Sequence, residues 1–334
     1  MTGAAASPYR MTGPAPGDHI VWPAAFGTRF LVFADVEEEF DWRAPLSRAN
    51  RATSAMAAFP EAHRRFADHG VGLVCMADHP IATDPRAVEI LHRVIEDGRS
   101  AIGTQLHAWV TPPYADPQPG DTFPGNLPRD LEAAKLDTIT EALSAAFGTS
   151  PLIYRAGRYG IGPHTAELLA ARGYRIDSSV RAGYDYAIEG GPDFSRLDNR
   201  AYWLGGLIEL PLSTVFTGAL RRGGAGLYRT LARVPHGRGA FARAGLLERI
   251  ALTPEDMPIE AALRAVRVAV AAGERMLTFS FHSPSLVPGQ TPYVRNADDL
   301  ARFWQWWERM FAELDRLGIQ PTTLVDILAA SDRR

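Results

Sequence analysis

Short apolar strands alternate with amphipathic helices over most of the 334-residue chain. Such alternation predicts a parallel sheet whose strands are joined by right-handed helical crossovers. A single α/β barrel commonly reaches this length, so length alone does not require two domains. We therefore predict an α/β fold, a (β/α) barrel built from residues 29–330. Its strands are expected at about 29–35, 71–77, 101–106, 151–155, 174–179 and 276–282, with helices near 52–69, 85–97, 129–147, 163–172, 258–273 and 297–317.

Four segments depart from this alternation. Residues 1–28 are rich in Ala, Gly and Pro and predict a tail or a wrap around the barrel. Residues 111–128 contain six prolines and no periodicity, which favours a long loop of functional importance. Residues 184–217 predict an antiparallel excursion, and residues 218–257 predict a basic helical insert before the barrel pattern returns.

The composition excludes several classes of protein. A hydrophobic content of 46% and a charged content of 22% are ordinary for a globular chain with a large core. A net charge of −3, with no recognisable binding motif, gives no reason to expect nucleic acid. The single cysteine, Cys75, excludes an intrachain disulfide. No secretory signal or membrane-spanning run is visible, so we expect a cytoplasmic location.

Ionisable residues stand at the ends of five predicted strands. Parallel α/β proteins place their chemistry where the carboxyl ends of strands meet. Five such residues on five strands therefore predict one site, and an enzyme. The five residues are Asp35, His107, Arg155, Asp177 and His282.

A cluster of carboxylates follows the first strand. These groups would repel one another unless a divalent cation, Arg155 or a shared proton lay between them. The position of Asp35 and Glu37, two residues apart, suits one as general base and the other as metal ligand or orienting group. We expect Glu38 and Glu39 to be solvated loop residues.

The other strand ends supply further candidates. Gln105 and His107 should face the same side of their strand, and the Gln105 carbonyl could orient a water or a substrate amide. His282, oriented by Asp177 or another carboxylate, could protonate a leaving group. No G-x-S-x-G elbow, P-loop or dinucleotide fingerprint is present. Candidate substrate-binding residues are Gln105, Trp109, Arg158, Tyr159 and Ser283.

Taken in chain order, these residues resemble the polysaccharide deacetylase (NodB homology) family. The motif variants look like those of a WalW-type subgroup associated with exopolysaccharide gene clusters: DVEEEFDW at 35–42, QLHAWVTPP at 105–113 and HSPSL at 282–286. The resemblance implies a distorted barrel of the NodB type and metal-assisted hydrolysis of an N-acetyl group on a sugar. It implies that Asp35 is the general base, that Arg155 steadies it and that His282 is the general acid.

The resemblance also implies a bound metal, but the sequence departs from the family pattern at the metal ligands. The family holds its metal with a carboxylate and two histidines, and Glu37 and His107 are the nearest counterparts here, with Zn²⁺ the expected ion. Gln105 and Trp109 stand where the paired histidines normally stand. A tetrahedral zinc site uses three protein ligands and a water. Three alternatives follow: the ligand set differs from that of the family, it binds metal weakly, or the site binds no metal. Some relatives of this fold hydrolyse cyclic amides without metal.

The insert carries seven arginines between positions 221 and 249 and one acidic residue, Glu248. Interleaved leucines and aromatics make it a basic amphipathic segment, which favours an anionic partner such as a membrane surface or the diphosphate of a lipid- or nucleotide-linked sugar. A helical lid with solvated or internally paired arginines is the other interpretation.

Three functions remain open from the sequence. The first is an N-deacetylase acting on a carbohydrate in exopolysaccharide or surface-glycan assembly, in the cytoplasm or at the inner face of the membrane. The second is a metal-independent amide or cyclic-imide hydrolase. The third is a non-catalytic glycan-binding protein on a degenerate deacetylase barrel.

Overall fold

The computed structural model describes residues 9–331 and contains eleven strands within that range. Nine strands form one sheet, in the order β10, β1, β2, β3, β4, β5, β7, β6, with β11 added beside β1. The strands are β1 (Arg29–Val36), β2 (Leu73–Ala77), β3 (Ala101–Leu106), β4 (Ile153–Ala156), β5 (Ile176–Asp177), β6 (Tyr202–Leu204), β7 (Leu207–Glu209), β8 (Thr214–Thr217), β9 (Glu248–Ala251), β10 (Met276–His282) and β11 (Gln320–Pro321).

Ten α-helices connect or flank these strands within the described residues. Most of them return the chain between neighbouring parallel strands, as the alternation predicts. The helices are α1 (Phe59–Asp68), α2 (His79–Thr83), α3 (Pro85–Ile95), α4 (Arg129–Phe147), α5 (Thr165–Ala170), α6 (Gly224–Leu231), α7 (Gly237–Arg243), α8 (Ile259–Ala271), α9 (Ala297–Arg316) and α10 (Leu324–Ser331). In the described residues, no helix combines the length and the apolar character needed to cross a membrane.

The sheet curls into a distorted barrel, which confirms the expected fold class. Its strands pair in parallel except β6, which runs antiparallel to β7. Hydrogen bonds from Thr278 on β10 to the segment after β7 bridge the two sides. The Thr278 N–H donates to Ser213 Oγ at 2.9 Å, and the Ser213 N–H donates to Thr278 Oγ1 at 2.7 Å. Side-chain contacts, rather than a continuous ladder of strands, therefore close the barrel on this side.

Alternation along β1 divides its side chains between two apolar layers. Phe30, Val32 and Ala34 pack among the surrounding helices, whereas Leu31 and Phe33 belong to the core inside the barrel. Successive side chains of a strand point to opposite faces. Asp35 continues the inward-facing series and ends the strand at the barrel mouth.

The segments outside the regular pattern are mostly packed against the body. The described part of the N-terminal segment, 9–28, contacts the sheet edge: the Ile20 N–H donates to the Ala201 carbonyl at 2.8 Å, and Met11 is buried. The expectation for residues 1–8 lies outside the described residues. In the 218–257 insert, α6 and α7 form a helical pair that is followed by β9, and β9 pairs with β8 in an antiparallel hairpin.

Candidate active site

The register of the central strands brings the candidate residues together at one end of the sheet. Asp35 is the direct partner of His282 across β1 and β10, and Gln105 is the partner of Arg155 across β3 and β4. Adjacent parallel strands end at the same edge, so their last side chains meet at the barrel mouth. The ends of four strands predicted from the sequence therefore surround one candidate site at the barrel mouth.

Arg155 and Asp35 form a buried ion pair. Arg155 is fully buried, Asp35 is 1% exposed, and an Nη1 N–H of Arg155 donates to Asp35 Oδ1. The guanidinium also donates through Nε to the Ser178 carbonyl at 3.1 Å and stacks on the Phe33 ring at 4.2 Å. The positive charge of Arg155 stabilises the Asp35 carboxylate, and its three contacts fix where that carboxylate points.

His282 is oriented by Glu255, not by Asp177. Its Nδ1 lies 2.7 Å from Glu255 Oε2, while the His282 backbone N–H donates to Glu255 Oε1 at 3.0 Å. This leaves Nε2 facing the site, 3.8 Å from Asp35 Oδ2. Burial lowers the pKa of His282, but the carboxylates of Glu255, Glu37 and Asp35 together outweigh it and raise the pKa to about 10. These neighbours favour the cationic form of the ring at neutral pH.

Asp177 occupies a different place from the one expected. It is fully buried below the site, where it accepts hydrogen bonds from the backbone N–H and hydroxyl of Ser179 and lies beside Glu209, its partner on β7. Burial raises the pKa of Asp177 to about 6, and burial together with Asp177 raises that of Glu209 well above its usual value. Asp177 belongs to a buried carboxyl pair and makes no hydrogen bond to His282 among the described contacts.

His107 is oriented by Glu38 in the same way that His282 is oriented by Glu255. Its Nδ1 lies 2.7 Å from Glu38 Oε2, and the Trp109 indole N–H donates to Glu38 Oε1 at 2.6 Å. Glu38 is fully buried, so the expectation of a solvated Glu38 was wrong. The neighbouring Glu39 is only partly buried, but it too is engaged, accepting hydrogen bonds from the hydroxyl of Ser54 and the N–H of Ala55.

Glu37 faces the other ring nitrogen of His107. Glu37 Oε2 lies 3.5 Å from His107 Nε2, and Glu37 Oε1 is buried without a hydrogen-bond partner in the described structure. Burial raises the pKa of Glu37 to about 8, although His282 and His107 oppose the rise. A buried carboxyl oxygen without a donor is unusual in a native protein, and a water, a cation or a substrate N–H would satisfy it.

Two sets of side chains that share His107 could hold a metal ion. Glu38, Asp78 and His107 offer ligand atoms that all lie within 4.8 Å of one another. All four carboxylate oxygens of Glu38 and Asp78 already accept hydrogen bonds, from His107, Trp109, the Ile81 N–H and the Glu38 N–H. This buried set is better suited to supporting His107 than to facing substrate.

The pocket-facing set consists of Glu37 and His107 Nε2. Two ligands about 2.0–2.1 Å from a tetrahedral zinc lie about 3.3 Å apart, close to the observed separation of 3.5 Å between Glu37 Oε2 and His107 Nε2. The unpartnered Glu37 Oε1 supports the same placement. Glu37 and His107 therefore fit two of the ligand positions of a divalent cation.

A cavity of about 700 Å³ opens above these groups. Most predicted substrate-binding residues line it, and the Gln105 Oε1 atom is buried without a partner in the described structure. Ser283 does not line it. Instead its hydroxyl accepts the Glu37 backbone N–H at 3.3 Å, so the structure gives Ser283 a positioning contact in place of the expected substrate contact. The lining includes Asp35, Glu37, Gln105, His107, Trp109, Arg158, Tyr159, Arg181 and His282.

Arg158 and Tyr159 enter the cavity from a strained turn after β4. Both have a positive φ, 54° and 60°, a backbone conformation that residues other than glycine rarely adopt. Arg158 stacks on Phe123 at 4.0 Å and donates to Glu189 at 2.6 Å. Residues held in this conformation cluster at functional sites, which accords with their place in the cavity wall.

Comparison with known proteins gives a limited result. No protein-family model matches the chain, and no curated protein matches it by sequence. A GH57-type branching enzyme from the archaeon Pyrococcus horikoshii superposes with a TM-score of 0.50 at 12% identity, over 92% of this chain and 71% of that one. This likeness shows the fold alone.

Polysaccharide deacetylases are also among the similar structures. A protein assigned as a polysaccharide deacetylase from Mycobacterium smegmatis has a TM-score of 0.47 at 19% identity, over 93% of this chain and 98% of that one. A carbohydrate esterase family 4 pseudoenzyme from Bacillus anthracis has a TM-score of 0.43 at 6% identity, over 90% of this chain and 66% of that one. At these scores neither structure decides the function of this chain, which has to be argued from the site.

Proposed function

We propose that the protein is a hydrolase of a C–N amide bond, an N-deacetylase acting on an N-acetylated sugar. The observation that carries the proposal is the pair of histidines at the cavity floor, each bound through Nδ1 to a buried carboxylate. His107 Nε2 faces Glu37, and His282 Nε2 faces Asp35. A base, an acid and a cation site thus converge on one cavity, which is the set of groups that amide hydrolysis requires.

The proposed reaction uses Asp35 as the base and His282 as the acid. Asp35, held by Arg155, accepts a proton from the water that attacks the amide carbonyl carbon. His282 donates its Nε2 proton to the amine nitrogen as the C–N bond breaks. The products are a carboxylate from the acyl group and a free amine on the sugar, with one water consumed.

A divalent cation, which we propose is Zn²⁺, would be held by Glu37 and His107. When bound, such an ion polarises the substrate carbonyl and activates water. Glu38 would fix the His107 ring so that Nε2 points to the ion, because metal-binding histidines commonly give their second N–H to a carboxylate.

Metal-free hydrolysis of an amide or cyclic imide is the second candidate, and one observation favours it. Glu37, with its pKa raised to about 8, is protonated at neutral pH unless a cation holds it ionised. A protonated Glu37 could donate a hydrogen bond to the developing oxyanion while Asp35 and His282 keep their roles. Removing metal with a chelator separates the two candidates, since only the metal-assisted enzyme loses activity.

Hydrolysis is tested by measuring acetate and free amine released from N-acetylated saccharides. Wild type should release both in equal amounts, and Asp35→Asn should lower kcat/KM by about 10³-fold or more while the saccharide still binds. His63→Ala is a matched control, because His63 Nε2 lies 2.9 Å from Asp97 in a histidine–carboxylate pair outside the cavity. Saccharide binding with no acetate release by wild type would instead support the third possibility, a non-catalytic glycan-binding barrel.

The cellular setting is also a proposal: surface-glycan or exopolysaccharide assembly in the cytoplasm, near the inner face of the membrane. The arginines at 221–249 support contact with an anionic surface, since none of them forms an ion pair within 4.0 Å among the described residues. Co-sedimentation with anionic vesicles, but not neutral ones, tests it. The contact should be lost in an Arg221→Gln, Arg222→Gln, Arg233→Gln triple variant, and equal sedimentation of that variant would contradict it.

A further inference from the structure

The guanidinium of Arg181 lies in the cavity wall, and the proposed reaction gives it no role. Its guanidinium lies over the rings of Tyr184 and Tyr159, at 4.1 and 5.4 Å, and Nη1 donates to the Tyr186 hydroxyl at 3.4 Å. Within residues 9–331, no carboxylate lies within 4.0 Å of it. Arg181 is therefore held in place by aromatic rings and has no internal counter-ion.

The other arginine that lines this cavity, Arg158, differs on this point, because it donates to Glu189 at 2.6 Å. The fully buried Arg155 is likewise paired, with Asp35. Only the charge of Arg181 is left without a carboxylate partner among the cavity-lining arginines of the described chain. A half-buried guanidinium is costly to leave without a counter-charge. The position of Arg181 in the cavity wall therefore indicates that a bound ligand supplies the negative charge.

Arg249 does not line the cavity, but it adds a second positive charge on the Tyr184 ring that Arg181 contacts. Its guanidinium stacks on the same Tyr184 ring, at 3.4 Å, and Nη1 donates to the Gly183 carbonyl at 2.9 Å. Its Nε is buried without a hydrogen-bond partner, and no carboxylate of the described residues lies within 4.0 Å of it. Two arginines without counter-ions thus share one ring.

Tyr159 connects this region to the reaction centre. The ring packs against Arg181, lines the cavity, and lies within electrostatic reach of both Asp35 and Arg155. Arg181 and the proposed base Asp35 thus line the same cavity. A sugar whose amide carbonyl lies at Asp35 would occupy that cavity, where its other substituents face a wall that includes Arg181.

We propose that the substrate is an N-acylated sugar that carries an anionic group, a carboxylate or a phosphate, and that Arg181 binds that group, with the neighbouring Arg249 adding positive charge. A planar guanidinium offers two parallel N–H donors to the two oxygens of such a group, and it keeps its charge at all physiological pH values. The proposal rests on the proposed function for the acyl-sugar part of the substrate. The anionic group rests on the arginines alone.

The test compares the binding of three probes by calorimetry. The probes are N-acetylglucosamine, which is neutral, N-acetylglucosamine 1-phosphate and N-acetylmuramic acid, which carries a carboxylate. We expect wild type to bind at least one anionic probe about 10- to 100-fold more tightly than the neutral sugar, as a charge-assisted pair predicts. Which of the two binds more tightly distinguishes phosphate from carboxylate.

The variants assign that preference to Arg181. Arg181→Gln should reduce the preference by about 10-fold or more, and Arg181→Lys should retain part of it, since it keeps the charge without the planar fork. Arg86→Gln removes an equal charge from an exposed position outside the cavity and should change nothing. Equal binding of neutral and anionic probes by folded wild type, or an unchanged preference in folded Arg181→Gln, would overturn the inference.

Binding and turnover separate this inference from the proposed function. Acetate release from neutral and anionic sugars at equal kcat/KM would leave the deacetylase standing and remove the anionic substrate. Tight, Arg181-dependent binding of an anionic sugar with no acetate release would do the reverse. If Arg181→Gln does not fold, Arg181→Lys with the same three probes still decides the outcome.

Discussion

His282 Nδ1 lies 2.7 Å from Glu255 Oε2, and this contact turns His282 Nε2 toward Asp35. The same relationship recurs at His107, whose Nδ1 lies 2.7 Å from Glu38 Oε2 and whose Nε2 faces Glu37. Each carboxylate holds the Nδ1 side of its histidine ring, and this leaves Nε2 to face the cavity. The floor of the site is therefore organised by two residues, Glu38 and Glu255, that stand behind the histidines.

Replacing Glu255 with Gln should shift the pH dependence of the reaction. Burial lowers the pKa of His282, and Glu255 is the first of the three carboxylates, with Glu37 and Asp35, that raise it to about 10. The acid is active while protonated, so activity falls as pH rises through its pKa. In Glu255→Gln the alkaline limb of kcat/KM should move down by at least about 1 pH unit.

The control for this shift is Asp97→Asn, which alters the other histidine–carboxylate pair, at His63. Its alkaline limb should coincide with that of wild type. An unmoved limb in Glu255→Gln would show that His282 is not the titrating acid.

Replacing Arg155 with Met should destabilise the fold by about 3–5 kcal/mol, because Asp35 would remain buried and charged without its partner. The double variant Asp35→Asn, Arg155→Met should recover much of that loss, since neither charge is then left alone. Urea unfolding at neutral pH measures both. A double variant less stable than Arg155→Met alone would contradict the account of a mutually compensating pair.

Replacing Glu38 with Gln should weaken zinc binding by about 10- to 100-fold, because a Gln side chain cannot accept hydrogen bonds from both the His107 ring and the Trp109 indole. Competition with a zinc-binding dye measures the affinity. Glu39→Gln is the matched control: its carboxylate contacts Ser54 and Ala55 instead, and its affinity should equal that of wild type. Equal affinity in both variants would remove Glu38 from the support of the metal.

Glu132 should make stability depend on pH above the acid range. Burial raises its folded-state pKa from 4.5 to about 7, although the Thr165 hydroxyl donates to it. A raised folded pKa means that this group stabilises the fold below about pH 4.5 and that the stabilisation is lost as pH rises through about 7. Glu132→Gln cannot titrate, so its stability relative to wild type should increase by about 1–3 kcal/mol between pH 5 and pH 8.

Urea unfolding at four pH values across that range measures the effect. Glu141→Gln, an exposed change on the same helix, is the control and should give a constant difference from wild type. A constant difference for Glu132→Gln as well would contradict the assignment.

The sequence located the floor of the site where strand periodicity determined it. Asp35, Arg155 and His282 end apolar strands, and the parity of β1 places Asp35 on the inner face with Leu31 and Phe33. Those residues could be found because strand position and side-chain direction are linked. The fold class followed from the same alternation.

The supporting residues could not be found in this way. Glu255 lies in irregular chain after β9 and reaches His282 only through the tertiary fold, so no local pattern marks it. Glu38 follows β1 among other carboxylates, and only its contacts with His107 and Trp109 distinguish it from solvated neighbours. Asp177 stands at a strand end as predicted, but β5 has only two residues and the side chain packs against Ser179 and Glu209 instead.

The zinc content of the purified protein, prepared without chelator or a nickel column, tests the central claim most directly. Wild type and the His63→Ala control should each carry close to one zinc per chain, and His107→Ala and Glu37→Gln should lose it together with acetate release. A metal-free wild type that takes up no added zinc yet still releases acetate would contradict the metal-assisted reaction at Glu37 and His107.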